Sequence, residues 1–255
     1  MSEYIVVKCG GSMLERLDHV FFECIEQLKK KYQVIVVHGG GPEIDAKLKR
    51  FNIPIEKKNG LRVTTKEVMN VVQMVLCGST NKKMVMNFQK HGLHAIGISG
   101  CDGKLLQVQP LDEDIGYVGE VSGVATSLLK GLLDLNYIPV IAPIGVRGNQ
   151  VYNINADTAA AGIAAALGAK ELIFITDVDG ILFEGKLLTK ADEAEILRLI
   201  EKEVITGGMI PKVQAALTSI QMGVEHVSIV NGTKHFVGTS GEWVGTTVTK
   251  GVNIV

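Results

Sequence analysis

The sequence predicts an α/β fold built around an open, mainly parallel β-sheet. Three observations predict it. Short runs rich in Val and Ile recur along the 255 residues, stretches with helical apolar spacing separate them, and glycine-rich loops stand where strands give way to helices. The runs are Tyr4 to Lys8, Val34 to Val37, His94 to Ile98, Tyr137 to Ile141, Leu172 to Thr176 and His226 to Val230.

Each further element follows in order. Leu14, Leu17, Phe21, Ile25 and Leu28 recur every three or four residues, which makes one apolar helix face that packs on the sheet. After the second strand, His38-Gly39-Gly40-Gly41-Pro42 puts a proline at a first helical position. Ile55 to Thr65 and Lys104 to Val121 break the alternation with Gly, Asp and Pro, and are predicted as hairpins or lids beside the sheet. Between them, Lys66 to His91 reads as a long helical region. Ala156 to Leu167, ADTAAAGIAAAL, is predicted as a buried helix, because alanine is the best helix former and lets a helix approach a sheet closely. No repeat or linker divides the chain. If it has two lobes, they are 1–168 and 169–255, with the sheet running through both.

The formal net charge is -1 with no long run of one sign, which gives no electrostatic footprint for nucleic acid or an anionic membrane. No apolar run approaches the roughly 18 residues of a membrane helix. The first apolar run stops at Lys8 with no basic stretch before it, unlike a signal or transit peptide. Cys9, Cys24, Cys77 and Cys101 form no Cys-x-x-Cys pair. These features lead us to expect a soluble cytoplasmic protein with free thiols.

Three glycine loops qualify as anion sites: Lys8-Cys9-Gly10-Gly11-Ser12, the His38 to Pro42 loop, and Thr206-Gly207-Gly208-Met209-Ile210-Pro211-Lys212. Glycine lets main-chain N–H groups approach an anion, and a helix N-terminus adds partial positive charge. Two of the loops carry a lysine, which points toward phosphate. The chain has neither Gly-x-x-x-x-Gly-Lys-Ser/Thr nor Gly-x-Gly-x-x-Gly, so a P-loop enzyme or a standard dinucleotide fold is not expected. His-Gly-Gly-Gly also occurs in oxyanion holes of lipase-like hydrolases, but the required Gly-x-Ser-x-Gly elbow is missing; Gly97-Ile98-Ser99-Gly100-Cys101 is the nearest approach. Asn153 and Asp157 precede or open the alanine-rich helix, as caps or as groups that reach a ligand and orient cations. Arg62 lies among apolar neighbours in the first irregular stretch, where its guanidinium suits a carboxylate. His38 reads as a brace for its loop.

Taken in order, Lys8-x-Gly-Gly, His38-Gly-Gly-Gly-Pro42, Asn59-Gly-Leu-Arg-Val-Thr64, Tyr152-Asn-Ile-Asn-Ala-Asp157, Thr176-Asp-Val-Asp-Gly180 and Gly207-Gly-Met-Ile-Pro-Lys212 resemble the amino acid kinase family across essentially the whole chain. The resemblance is greatest to members that phosphorylate N-acetylglutamate. It implies a three-layer αβα sandwich with an acceptor-binding, dimerising N-terminal lobe and an ATP-binding C-terminal lobe. It also implies that Lys8 and Lys212 stabilise the transferring phosphoryl group while Asp157 holds both lysines. Gly40, Gly41, Arg62 and Asn153 would bind N-acetylglutamate. Gly11, Asp177, Gly180, Gly207, Gly208 and Met209 would lie around ATP, with Mg²⁺ carried by the nucleotide and no protein metal ligand.

Only seven residues precede Lys8, whereas arginine-sensitive members carry an N-terminal helix that links dimers into hexamers. The expectation is therefore a homodimer not inhibited by arginine, joined through Lys66 to His91. The lack of an extension after the last strand argues against aspartokinase and against glutamate 5-kinases with an added domain. The remaining alternatives are a kinase for carbamate, glutamate or carrier-bound aminoadipate, and a non-catalytic amino acid or nucleotide sensor.

Overall fold

The structure is a computed structural model that describes residues 3–239 and 241–251. Strand β1 (Glu3–Cys9) leads through a short turn at Gly11–Met13 to α1 (His19–Lys29), β2 (Tyr32–His38) and α2 (Gly41–Arg50). A small hairpin, β3 (Lys57–Lys58) and β4 (Leu61–Arg62), precedes α3 (Lys66–Gln73), a π-helical segment (Met74–Thr80) and α4 (Asn81–Lys90). There follow β5 (Ala95–Ser99), β6 (Leu106–Pro110), β7 (Gly119–Val124), α5 (Thr126–Asp134), β8 (Ile138–Ala142), β9 (Ile144–Arg147), β10 (Gln150–Asn153) and α6 (Ala156–Leu167). The chain continues through β11 (Glu171–Thr176), the hairpin β12 (Leu182–Phe183) and β13 (Lys186–Leu187), β14 (Lys190–Asp192), α7 (Glu193–Glu201), α8 (Ile210–Gln221), β15 (His226–Asn231) and β16 (Gly245–Thr249).

The central sheet has the order β14-β16-β15-β11-β1-β2-β8-β5 and is unbroken from edge to edge. The six strands from β15 to β5 are parallel and correspond to the six predicted runs, while β16 lies antiparallel to β15. Alternation along β1 makes the layers. Val6 joins a core with Ile163 of α6 and Ala216 of α8, whereas Ile5 and Val7 join the opposite core with Phe21 of α1 and Phe88 of α4. The result is a three-layer αβα sandwich.

The alanine-rich helix is buried as expected, and its closest approach explains Gly162: a Cβ there would lie 2.9 Å from Val121 Cγ1. Two predicted elements differ in detail. Helix α1 begins at His19 because the Asp18 carboxylate accepts the Val20 N–H and caps it; Leu14 and Leu17 sit in the preceding turn and pack on the same core. The long helical region is interrupted by the π-helical turn over Gly78, Ser79 and Thr80, residues that favour helix weakly. The irregular stretch from Lys104 supplies β6 and β7, which pair with β9 and β10 in a second four-stranded sheet beside the first.

The parallel register aligns the carboxyl ends of four strands. Cys9 stands opposite both His38 and Ile175, and Thr176 stands opposite Asn231. All three predicted glycine loops therefore open on this edge or, for Gly207 and Gly208, at the start of α8 above it.

At the other end of β11, Glu171 is buried and accepts hydrogen bonds from Ser228 Oγ at 2.6 Å and from the Trp243 side chain. Burial pushes its carboxyl up to about 7. The folded state thus favours the protonated acid, so this contribution is full below about pH 4.5 and is lost as pH rises through 7. Glu171→Gln is expected to be more stable than the parent by about 3 kcal/mol at pH 8. In thermal melts across pH, that gain should shrink as pH falls toward 4.5; a gain that does not vary with pH would contradict it.

Candidate active site

Lys8 lies two residues beyond Val6 on the same face of β1, so its side chain points toward the amino end of α6. There the Asn155 side chain accepts the N–H groups of Asp157 and Thr158, starting the helix and fixing Asp157 in its first turn. Lys8 Nζ meets Asp157 Oδ1 at 2.7 Å, with Lys8 largely shielded from solvent. Lys212 enters from the first turn of α8, behind Pro211, and its Nζ donates to Asp177 Oδ1 at 2.9 Å. Arg16 approaches the other oxygen of Asp177 at 3.6 Å. The Lys212 hydrogen bond holds the Asp177 carboxyl below its ordinary range. The resemblance implies that Asp157 holds both lysines; in the structure Asp157 pairs with Lys8, and Lys212 pairs with Asp177. Both pairs face a cavity of about 160 Å³.

Beside it, a cavity of about 200 Å³ brings together Gly11, Gly40, Gly41, Arg62, Asn153 and Asp157. The Arg62 side chain is only 9% exposed, and its Nη2 pairs with Asp45 Oδ1 at 2.5 Å and donates to Gly41 O at 3.4 Å. Its Nη1 is buried with no hydrogen-bond partner. A guanidinium nitrogen buried without an acceptor is costly. It fits an incoming anion whose two oxygens suit the planar donor set. Asn153 Nδ2 donates to Thr64 Oγ1 at 3.3 Å, and that hydroxyl donates to Arg62 O at 2.8 Å, tying the strand end of β10 to the arginine. A Cβ at Gly41 would meet nothing within 4 Å, so packing does not demand glycine there.

Gly11, expected near the nucleotide, lines the same cavity as Gly40, Gly41 and Arg62. A Cβ on it would lie 2.8 Å from the main-chain nitrogens of both Gly40 and Gly41, so the two glycine loops abut. His38, whose side chain lies beneath its loop, is fully buried, and burial lowers its pKa to about 4, which leaves the imidazole neutral.

On the far side of the lysines, a cavity of about 480 Å³ is lined by Asp177, Gly180 and Met209. Gly207 and Gly208 form the turn that carries Met209 but do not line it. Gly180 has φ +134°, and a Cβ would fall 2.6 Å from Thr246 Oγ1, so the turn requires glycine. Sequence reasoning missed Asp179, Asn231 and Lys234 here. Asn231 Nδ2 and Lys234 Nζ both donate to the Asp179 carboxylate, at 2.7 Å each. The available signal was Asn231-Gly232-Thr233-Lys234, a fourth glycine loop with a lysine directly after a predicted strand.

The amino acid kinase family model matches residues 3–231. Acetylglutamate kinase from Bacillus cereus is 74% identical over 254 residues, covering 100% of both chains. A crystal structure of smu.665 from Streptococcus mutans UA159 is similar with a TM-score of 0.83 at 32% identity, covering 98% of this chain and 100% of that one. Giardia carbamate kinase, at 18% identity and a TM-score of 0.68, covers 98% of this chain and 99% of its own and shares the fold. The chain belongs to the amino acid kinase family.

Proposed function

We propose that the protein transfers the γ-phosphoryl group of ATP to the side-chain carboxylate of N-acetyl-L-glutamate, forming an acyl phosphate, as a step of arginine biosynthesis. The observation that carries this reading is the buried, unpartnered Arg62 Nη1 beside bare glycine backbone, in a cavity that adjoins the two lysines. It supplies a grip for one carboxylate of a small diacid while the other meets the phosphoryl group. The full-length similarity to acetylglutamate kinases supports the same substrate.

A side-chain carboxyl has an ordinary pKa of about 4.3, so the nucleophile is ionised at neutral pH and needs no general base. The difficulty is repulsion between that carboxylate and the γ-phosphate. Lys8, Lys212 and the glycine N–H groups offset the charge on the transferring group and hold it in line with the attacking oxygen. Asp157 keeps Lys8 extended into the cleft, and Asp177 does the same for Lys212. Mg²⁺ enters with the substrate as MgATP. Asp177 and Asp179 are each engaged by a lysine, which suits a metal held mainly by phosphate oxygens and water. When bound, it screens the phosphate charge.

In this reading residues 1–168 bind the acceptor and dimerise, and 169–255 bind ATP. Gly40, Gly41, Arg62 and Asn153 contact N-acetylglutamate; Asp177, Gly180, Met209 and the turn at Gly207 and Gly208 surround the nucleotide, and Gly11 lies where the two substrates meet. The protein works as a cytoplasmic homodimer joined through the helical run from Lys66. The exposed Met74 and Met86 on that run support such a contact, and the four free cysteines suit a reducing compartment.

Incubation with MgATP, hydroxylamine and a panel of acids tests the reaction: a hydroxamate is expected with N-acetylglutamate, and none with any acid would refute it. Lys8→Ala or Lys212→Ala should lower kcat by about 10²–10³, the scale of one lost transition-state donor; unchanged kcat in either would remove that residue from the chemistry. Arg62→Ala should mainly raise KM for the acceptor, since its grip is the same before and during transfer. A loss confined to kcat would contradict the assignment.

A further inference from the structure

The cleft's glycine donors have to be aimed, and the structure contains a hydrogen-bond chain that does so from outside the cleft. The Gly39 N–H donates to Cys9 O at 2.8 Å, tying the loop to the end of β1. The Gly39 carbonyl lies 2.8 Å from His38 Nδ1. A ring nitrogen facing a carbonyl oxygen must carry the proton, so Nδ1 donates and Nε2 holds the lone pair. Nε2 in turn lies 3.1 Å from Asn81 Nδ2, which donates to it.

Asn81 has its own orientation fixed. Its Nδ2 also lies 2.9 Å from Val140 O, and its Oδ1 accepts from Lys82 Nζ at 3.1 Å, while Lys82 Nζ donates to Gly97 O at 2.9 Å. Turned over, the Asn81 amide would set its oxygen against both Val140 O and the His38 lone pair. Lys82, together with the carbonyls of Val140 and Ile98 (3.3 Å), thus fixes the Asn81 orientation, Asn81 selects the His38 tautomer, and His38 holds the Gly39 carbonyl. His38 and Asn81 are both buried, and His38 remains neutral across the working pH range.

The consequence follows from peptide geometry. The chain has no cis peptide among the described residues, and in a planar trans peptide the C=O of one residue and the N–H of the next point in opposite directions. With the Gly39 carbonyl pulled toward the buried ring, the Gly40 N–H is turned the other way, to the cavity shared with Gly11, Arg62 and Asn153. Among the described residues neither Gly40 nor Gly41 gives its N–H to a protein acceptor, as expected for the first groups of α2.

We propose that His38, oriented by Asn81 and Lys82, is a positioning residue that aims the Gly40 N–H at the transferring phosphoryl group. This rests on the phosphoryl-transfer reading above. None of the three side chains touches substrate; they act through the loop.

Two substitutions separate the halves of the imidazole. An asparagine at 38 places its amide nitrogen near the Nδ1 position and can keep the bond to Gly39 O, whereas a glutamine reaches the Nε2 position and keeps only the side toward Asn81. With ADP release on N-acetylglutamate as the assay and melting temperature measured alongside, His38→Asn should keep kcat within about threefold. His38→Gln should lose about tenfold or more, on the scale of a misaimed oxyanion donor, with both KM values little changed. Equal kcat in the two variants, or kcat that simply follows melting temperature, would overturn the proposal. Should either variant fail to fold, Lys82→Met decides, because Lys82 is exposed at the helix surface: about threefold lower kcat at unchanged KM is expected, and parental kcat overturns the aim. A parent enzyme that releases no ADP with N-acetylglutamate would overturn the functional reading and this proposal with it.

Discussion

The cleft depends on the register of β1 between β2 and β11. Because Cys9 stands level with His38 on one side and Ile175 on the other, the loops that follow three strands emerge together. Alternation then sends Lys8 to the α6 and α8 face while its neighbours Val7 and Cys9 fill the opposite core. A slip of one residue would bury the lysine among Phe21 and Phe88 and expose an apolar side chain to the cleft. The apolar alternation of β1 is therefore what places the cation, and the chemistry inherits its precision from hydrophobic packing.

On that frame, charge is handled pairwise. Each lysine has its own carboxylate, delivered by a separate helix or strand end: Asp157 by the capped start of α6, Asp177 by the loop after β11. Arg62 is different in kind, since its pairing with Asp45 leaves one nitrogen buried and unmet. An ion pair that is already satisfied fixes geometry; a buried donor without an acceptor asks for a ligand. The cleft contains both sorts, with the unmet donor in the cavity lined by Gly40, Gly41 and Asn153.

Much of this was legible in the sequence because it depends on local pattern. The six parallel strands followed from runs of Val and Ile, and the buried α6 from ADTAAAGIAAAL. The edge strand β14 and its neighbour β16 were not legible: Lys190–Asp192 is three residues long, and Gly245–Thr249 mixes Gly and Thr with one Val, so their existence depends on neighbours. The lysines and Arg62 were legible as residues in glycine loops. The partner of Lys212 was not, since Asp177 and Lys212 are 35 residues apart and only the packing of α8 over β11 joins them. The same holds for Asn81, which in the sequence is one polar residue in a long helix and in the structure lies 43 positions from the histidine it orients.

In the proposed transfer the cleft neutralises charge around a nucleophile that is already ionised, and no side chain removes a proton. The most direct test is the pH dependence of kcat for ADP release, at saturating MgATP and N-acetylglutamate, between pH 6.5 and 8. A flat profile is expected, because the acceptor carboxylate is ionised throughout and His38 does not titrate there. A rise of about tenfold per pH unit across that range would show a general base in the transfer step and contradict it.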